Sequence, residues 1–123
     1  MSETELLSIL NRFKFSKAGE ISLANNRLTF NLTNQSNETG LVYLWIEVLE
    51  ATFVVVYIGK AGRTLRIRCR QHEAGFRRST TGRAHAERLR KGISKGGRYE
   101  VYSRKSGMSD ILEEIEIPME CVE

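Results

Sequence analysis

Two β-rich runs that almost touch, Leu41 to Val48 and Thr52 to Gly59, constrain this chain more than any other feature in it. Only Leu49, Glu50 and Ala51 lie between them. That is far too short for a parallel crossover, so the two runs predict an antiparallel hairpin. Side chains alternate across a strand, which sorts the first run into Val42, Leu44, Ile46 and Val48 on one face and Tyr43, Trp45 and Glu47 on the other. In the second run the same rule puts Val54, Val56 and Ile58 on the apolar side and leaves Tyr57, beside Gly59, opposite. Two phenols on neighbouring strands are therefore expected to face away from the aliphatic side.

The rest of the chain supplies elements to cover that hairpin. Ser2 and Glu5 make a capping box ahead of Leu6, Leu7, Ile9, Leu10 and Phe13, which predicts an amphipathic helix over about 3–13. Ile21 to Leu32, interrupted at Asn25-Asn26, reads as a second hairpin whose turn tolerates positive φ. Thr64 to about Ala74 has helical composition and is expected to end at Gly75. Along it Leu65, Cys69 and Phe76 share a side with Arg68 and His72, while Arg63, Arg66 and Arg70 point elsewhere. An arginine and a histidine on the packed side of a helix are costly unless a partner or ligand meets them. Thr80 or Thr81 is the expected cap of a further helix to about Ser94, with Ala86, Leu89 and Ile93 inward and Gly96-Gly97 as its stop. His85, read as lying in the first turn of that helix, is expected in solvent. A third strand follows at Arg98 to Arg104, with Tyr99 and Val101 on one face and Arg98, Glu100, Tyr102 and Arg104 on the other. Pro118 suits the opening turn of a last helix.

At 123 residues the chain has the length of one domain. Its net charge of +4 hides an asymmetry: Lys60 to Lys105 holds 15 Lys or Arg against 3 Glu, while Met108 to Glu123 holds six acids and no base. A basic block this dense is an electrostatic footprint for a polyanion, with nucleic acid the commonest partner, against the plainer possibility of a solvated helical face. The apolar runs are too short to span a bilayer, and the acidic N-terminus lacks the pattern of a secretory signal, so a cytoplasmic protein is expected. Cys69 and Cys121 have no metal-type spacing and are expected to be free thiols, buried or half-buried.

Gly40-Leu41-Val42-Tyr43, then Val56-Tyr57-Ile58-Gly59-Lys60-Ala61, then Arg68 and His72 four apart on the following helix, together resemble the signature of the GIY-YIG endonuclease superfamily. The second triplet is literal. The first departs from the strict pattern, because Leu41-Val42 stand between Gly40 and Tyr43. The resemblance implies an α+β fold, a small three-stranded antiparallel sheet flanked by helices, here carrying an N-terminal helix and hairpin extension. Residues 1–36 would form that extension and 37–123 the nuclease domain, C-terminally incomplete in lacking the body of its last helix and the terminal asparagine of the family.

The implied activity is metal-dependent hydrolysis of DNA phosphodiester bonds. Tyr43 is then the first choice as general base, with Tyr57 beside it, Arg68 on the scissile phosphate and its transition state, and His72 hydrogen-bonded to a tyrosine and relaying its proton. A free phenol is only ~0.1% ionised at neutral pH, so the site is expected to lower the phenol's pKa or let the metal acidify the water. Mg²⁺ (or another divalent ion such as Mn²⁺) is the implied cofactor, with Glu123 or Glu120 as its carboxylate ligand. Lys60, Arg63, Arg66, Arg70, Arg77, Arg78 and Arg83 are the expected phosphate and DNA contacts, setting affinity rather than sequence choice. The turn Lys60-Ala61-Gly62 and the stretch Ser79 to Gly82 resemble compact stand-alone members, of restriction or phage-defence kind. Two rival readings stay open: a catalytically inactive nucleic-acid-binding module, and an interaction domain whose basic surface meets an acidic protein.

Overall fold

The computed structural model describes residues 1–33 and 37–105. In chain order they form α1 (Glu3–Arg12), β1 (Ser16–Ala24), β2 (Arg27–Leu32), β3 (Leu41–Leu49), β4 (Thr52–Ala61), α2 (Leu65–Arg78), α3 (Thr80–Ser94) and β5 (Arg98–Lys105). The Pro118 helix start, Cys121, Glu120 and Glu123 lie outside the described residues.

Local chemistry sets the element boundaries. At the start of α1 the Ser2 hydroxyl accepts from the Glu5 N–H, and the Glu5 carboxylate accepts from the Ser2 N–H, both at 3.2 Å, closing the expected capping box. The turn between β1 and β2 is Asn25 (φ 53) and Asn26 (φ 62), residue types that tolerate the left-handed region. Glu50, at φ 56, opens the turn between β3 and β4, where Leu49 and Thr52 already pair.

The sheet has five strands in the order β2-β1-β5-β3-β4, antiparallel throughout, and this corrects the expectation of a three-stranded sheet. β1 pairs on one side with β2 and on the other with β5, through Gly19 opposite Val101 and Ile21 opposite Tyr99. Gly19 makes this possible at the bulge between Lys17 and Gly19, since a Cβ there would lie 2.3 Å from the Asn31 carbonyl oxygen. On β2, which ends the sheet on that side, Glu73 of α2 accepts from the Phe30 N–H at 2.8 Å and occupies part of the exposed edge.

β3 is buried on both faces, as a central strand must be. Val42, Leu44, Ile46 and Val48 pack with Phe53, Val55 and Ile58 against Leu6, Leu10 and Phe13 around α1. The other face carries Tyr43, Trp45, Tyr57, Tyr99 and Val101 beneath Leu65, Cys69, Phe76, Ala86 and Leu89 of α2 and α3. Each large side chain fully buried in this way contributes roughly 1.5–3 kcal/mol.

The alternation expected for β4 fails in part. Trp45 pairs with Tyr57 but Ile46 pairs with Val55, so Val56 is an extra residue, and the faces change phase there. Val54 is consequently exposed, and Val56 joins the aromatic face with Tyr57 instead of the aliphatic one. Glu100 is the buried acid of β5; hydrogen bonds from Tyr102, Lys17 and Arg98 satisfy it. Among the described residues no helix is long and apolar enough to cross a membrane.

Candidate active site

Tyr43 and Tyr57 enter the same face of the sheet from adjacent strands, their ring centroids 5.9 Å apart. Trp45, two residues beyond Tyr43 on β3, pairs directly with Tyr57 and stacks its indole on that ring at 4.3 Å and 23°. His72 descends from α2 onto this floor: its Nε2 is 2.5 Å from the Tyr43 hydroxyl, and its ring stands edge-on to Tyr57 at 5.2 Å and 89°. Phe30 of β2 and Phe76 of α2 complete the ring cluster around Trp45.

The two helices that roof the site are locked together by one residue. Ser79 ends α2 by donating its N–H to the Gly75 carbonyl at 3.1 Å, and it starts α3 by accepting the Gly82 N–H at 2.9 Å. The expected helix end at Gly75 is thus corrected to Arg78. A glycine terminates a helix when it turns left-handed, and Gly75 keeps a negative φ. Ser79, not Thr80 or Thr81, is the cap of α3. A Cβ on Gly82 would stand 2.1 Å from the Gly75 oxygen, so the two backbones touch at this point.

That junction brings in a residue placed wrongly by sequence. His85 belongs to the second turn of α3, is half-buried, and stands perpendicular to Tyr57 at 5.3 Å and to Trp45 at 5.9 Å. The expectation of a solvated His85 assumed a later helix start. The stripe Gly82, His85, Ala86, Leu89, Gly92 is the signal that would have found it, because Ala86, Leu89 and Gly92 are all buried.

Burial dominates the electrostatics. It pushes the Tyr43 phenol well above its ordinary value, with Tyr57 adding to the rise and Arg68 opposing it. Of the two expected routes to an activated water, the protein's own groups do not favour the lowered phenol. Burial also takes the His72 imidazole down to about 3, helped by Arg68 and then His85, and lowers His85, helped by Arg88. The phenol and both imidazoles are therefore uncharged at neutral pH, and the tautomer of His72 decides which partner donates across the 2.5 Å contact. Cys69 behaves as expected for a buried free thiol, its pKa pushed up to about 12 by burial and then by Glu73. Trp45 is 1% exposed, and its buried indole N–H has no hydrogen-bond partner among the described residues.

Arg68 is half-buried beside this cluster, its Nη1 donating to Gln71 at 3.2 Å and its charge felt by both Tyr43 and His72. Lys60 is exposed at the end of β4, in register with Val42 and so starting from the aliphatic side of the strand. Arg63 is exposed just before the Thr64 cap of α2. Arg66 and Arg70 lie on the outer side of α2 and line an open depression of about 450 Å³ against Phe30 and Leu32. Arg77, Arg78 and Arg83 are exposed on either side of the Ser79 junction. The described residues hold no group of three or more His, Cys, Asp or Glu side chains suited to a metal ion, and the carboxylates expected for that task, Glu123 and Glu120, lie outside them.

No family model matches the chain, and no curated protein matches it in sequence. Solved structures do match. A mutant of bacteriophage T4 EndoII superposes with a TM-score of 0.61 at 21% identity, over 80% of this chain and 71% of that one. Restriction endonuclease HPY188I in complex with product DNA superposes with a TM-score of 0.60 at 18% identity, over 86% of this chain. The chain spans 62% of that enzyme's length. At these identities what is shared is the fold, an α+β architecture common to this chain, a phage protein and a restriction endonuclease held with DNA.

Proposed function

We propose that this chain is a DNA endonuclease of the GIY-YIG kind that hydrolyses phosphodiester bonds with the help of a divalent metal, in a restriction or phage-defence setting. The observation that carries the reading is the 2.5 Å contact between the Tyr43 hydroxyl and His72 Nε2 on a floor shared with Tyr57 and adjoined by Arg68. The fold likeness to an endonuclease holding product DNA supports it, as does the block of 15 Lys or Arg between Lys60 and Lys105.

In this reading water attacks the phosphorus and the P–O bond to the leaving sugar oxygen breaks, while Tyr43 takes one of the water's protons and passes its own to His72 Nε2; the departing oxygen takes its proton from solvent. No free phenolate accumulates, which suits a phenol that burial keeps protonated. His72 becomes an imidazolium as negative charge builds on the phosphoryl oxygens, so each new charge stabilises the other. Arg68 offers its planar fork to those oxygens. The exposed arginines Arg63, Arg66, Arg70, Arg77, Arg78 and Arg83, with Lys60, follow the backbone of the duplex without reading bases. Mg²⁺ or Mn²⁺, held through Glu123 or Glu120, would supply further neutralisation of phosphoryl charge when bound.

Nicking of supercoiled plasmid in Mg²⁺ tests the reading. The parent chain should convert supercoiled to open-circular DNA, and Tyr43→Phe and Arg68→Ala should each be slower by about 100-fold or more. Cleavage by either variant at the parental rate removes these roles. A parent that binds duplex DNA with a steep loss of affinity in added salt, yet cuts nothing, would make the chain a nucleic-acid-binding module instead.

A further inference from the structure

The Tyr57 ring is held on three sides. Trp45 stacks on it at 4.3 Å, His72 stands edge-on at 5.2 Å and 89°, and His85 stands edge-on at 5.3 Å and 87°. The first two supports come from the sheet and α2; the third is the only ring that α3 brings to the site among the described residues. Perpendicular contacts at this separation are a favoured geometry for aromatic pairs.

The Tyr57 ring also packs against the Tyr43 ring, their centroids 5.9 Å apart, so its orientation is transmitted to the group bonded to His72. A half-buried histidine on an arginine-rich helix is an expensive way to fill space, because Leu or Met would do it without a polar edge. Arg88, one turn along α3, adds to the forces that keep its ring neutral. One turn before His85, Gly82 lets α3 approach the Gly75 carbonyl at a distance no Cβ would allow.

Building on the endonuclease reading, we infer that His85 is a positioning residue for the reaction: it clamps the Tyr57 ring from the side opposite the sheet, and through Tyr57 it fixes the Tyr43 hydroxyl. The His85 ring acts as a wall, so an aromatic replacement should substitute for it and a small one should not.

The test compares the full chain with His85→Phe and His85→Ala in single-turnover cleavage of duplex DNA, together with DNA affinity and the NMR signals of the Tyr57 ring. His85→Ala should cut at least tenfold more slowly with DNA affinity within twofold of the parent, and its Tyr57 signals should shift or broaden. His85→Phe should keep the rate within about threefold and retain the parental Tyr57 signals. Parental cutting by His85→Ala overturns the proposal. So does a His85→Phe as slow as His85→Ala, which would mean that the imidazole itself enters the chemistry. If the parent cuts no DNA, the endonuclease reading fails, and the NMR comparison still decides whether His85 holds Tyr57.

Discussion

Burial keeps the Tyr43 phenol protonated and the His72 imidazole neutral, and this shapes what the pair can do. A phenolate base at neutral pH is not on offer; a proton handed along a neutral chain is. The same shifts bear on stability. A histidine whose pKa falls from about 6.5 unfolded to about 3 folded binds fewer protons in the native state. Its contribution is fully present above the unfolded value and is lost as pH falls from there toward the folded one. Stability should therefore drop between about pH 6.5 and 5, with His72 contributing a slope approaching about 1.4 kcal/mol per pH unit, and His85 adding in the same direction. Urea unfolding across that range checks it. His72→Gln should remove about one proton from the slope, and an unchanged slope would mean that the native imidazole is already charged.

Among the elements, the α2–α3 corner does the most to assemble the site, since it sets His72 and His85 on two sides of Tyr57. Gly82→Ala drives a methyl group to 2.1 Å from the Gly75 oxygen, a backbone atom that cannot swing aside. The expected loss is about 1–3 kcal/mol in unfolding free energy, whereas Gly62→Ala, with nothing within 4 Å of its new Cβ, should behave as the parent. Equal melting of the two variants would contradict the close-packed corner. Much of this scale was legible in sequence: the Ser2–Glu5 box, the Asn25-Asn26 turn, the stop at Gly96 and the shared side of Leu65, Arg68, Cys69 and His72 all follow from short-range chemistry. The helix junction was not, because Ser79 serves two helices at once and Gly75 looks like a terminator until its neighbour is known. Nor was the bulge at Val56, which an unbroken run of valines gives no local sign of.

At the scale of the whole molecule, the feature least visible in sequence is the pairing of β1 with β5, which joins segments from opposite ends of the described chain. Local patterning identified both strands but cannot say which edges meet, so the N-terminal hairpin read as an appendage and Phe30 was not expected beside Trp45. The convergence of Tyr43, Tyr57 and His72 was legible, because strand alternation and helical spacing each point to one face, and the sheet order sets them together. The charge asymmetry fits this frame: α2 and α3 carry many exposed arginines, and Arg68 adjoins a Tyr43–His72 pair that is itself uncharged, a setting that favours an incoming phosphate. The central claim is that Tyr43 and His72 work as one proton-transfer unit on DNA. A double-mutant cycle in single-turnover cleavage measures it, using Tyr43→Phe, His72→Gln and both together. The account predicts that each single variant loses about 100-fold and the double little more, since either change breaks the same relay; losses that multiply would show two independent groups and contradict it.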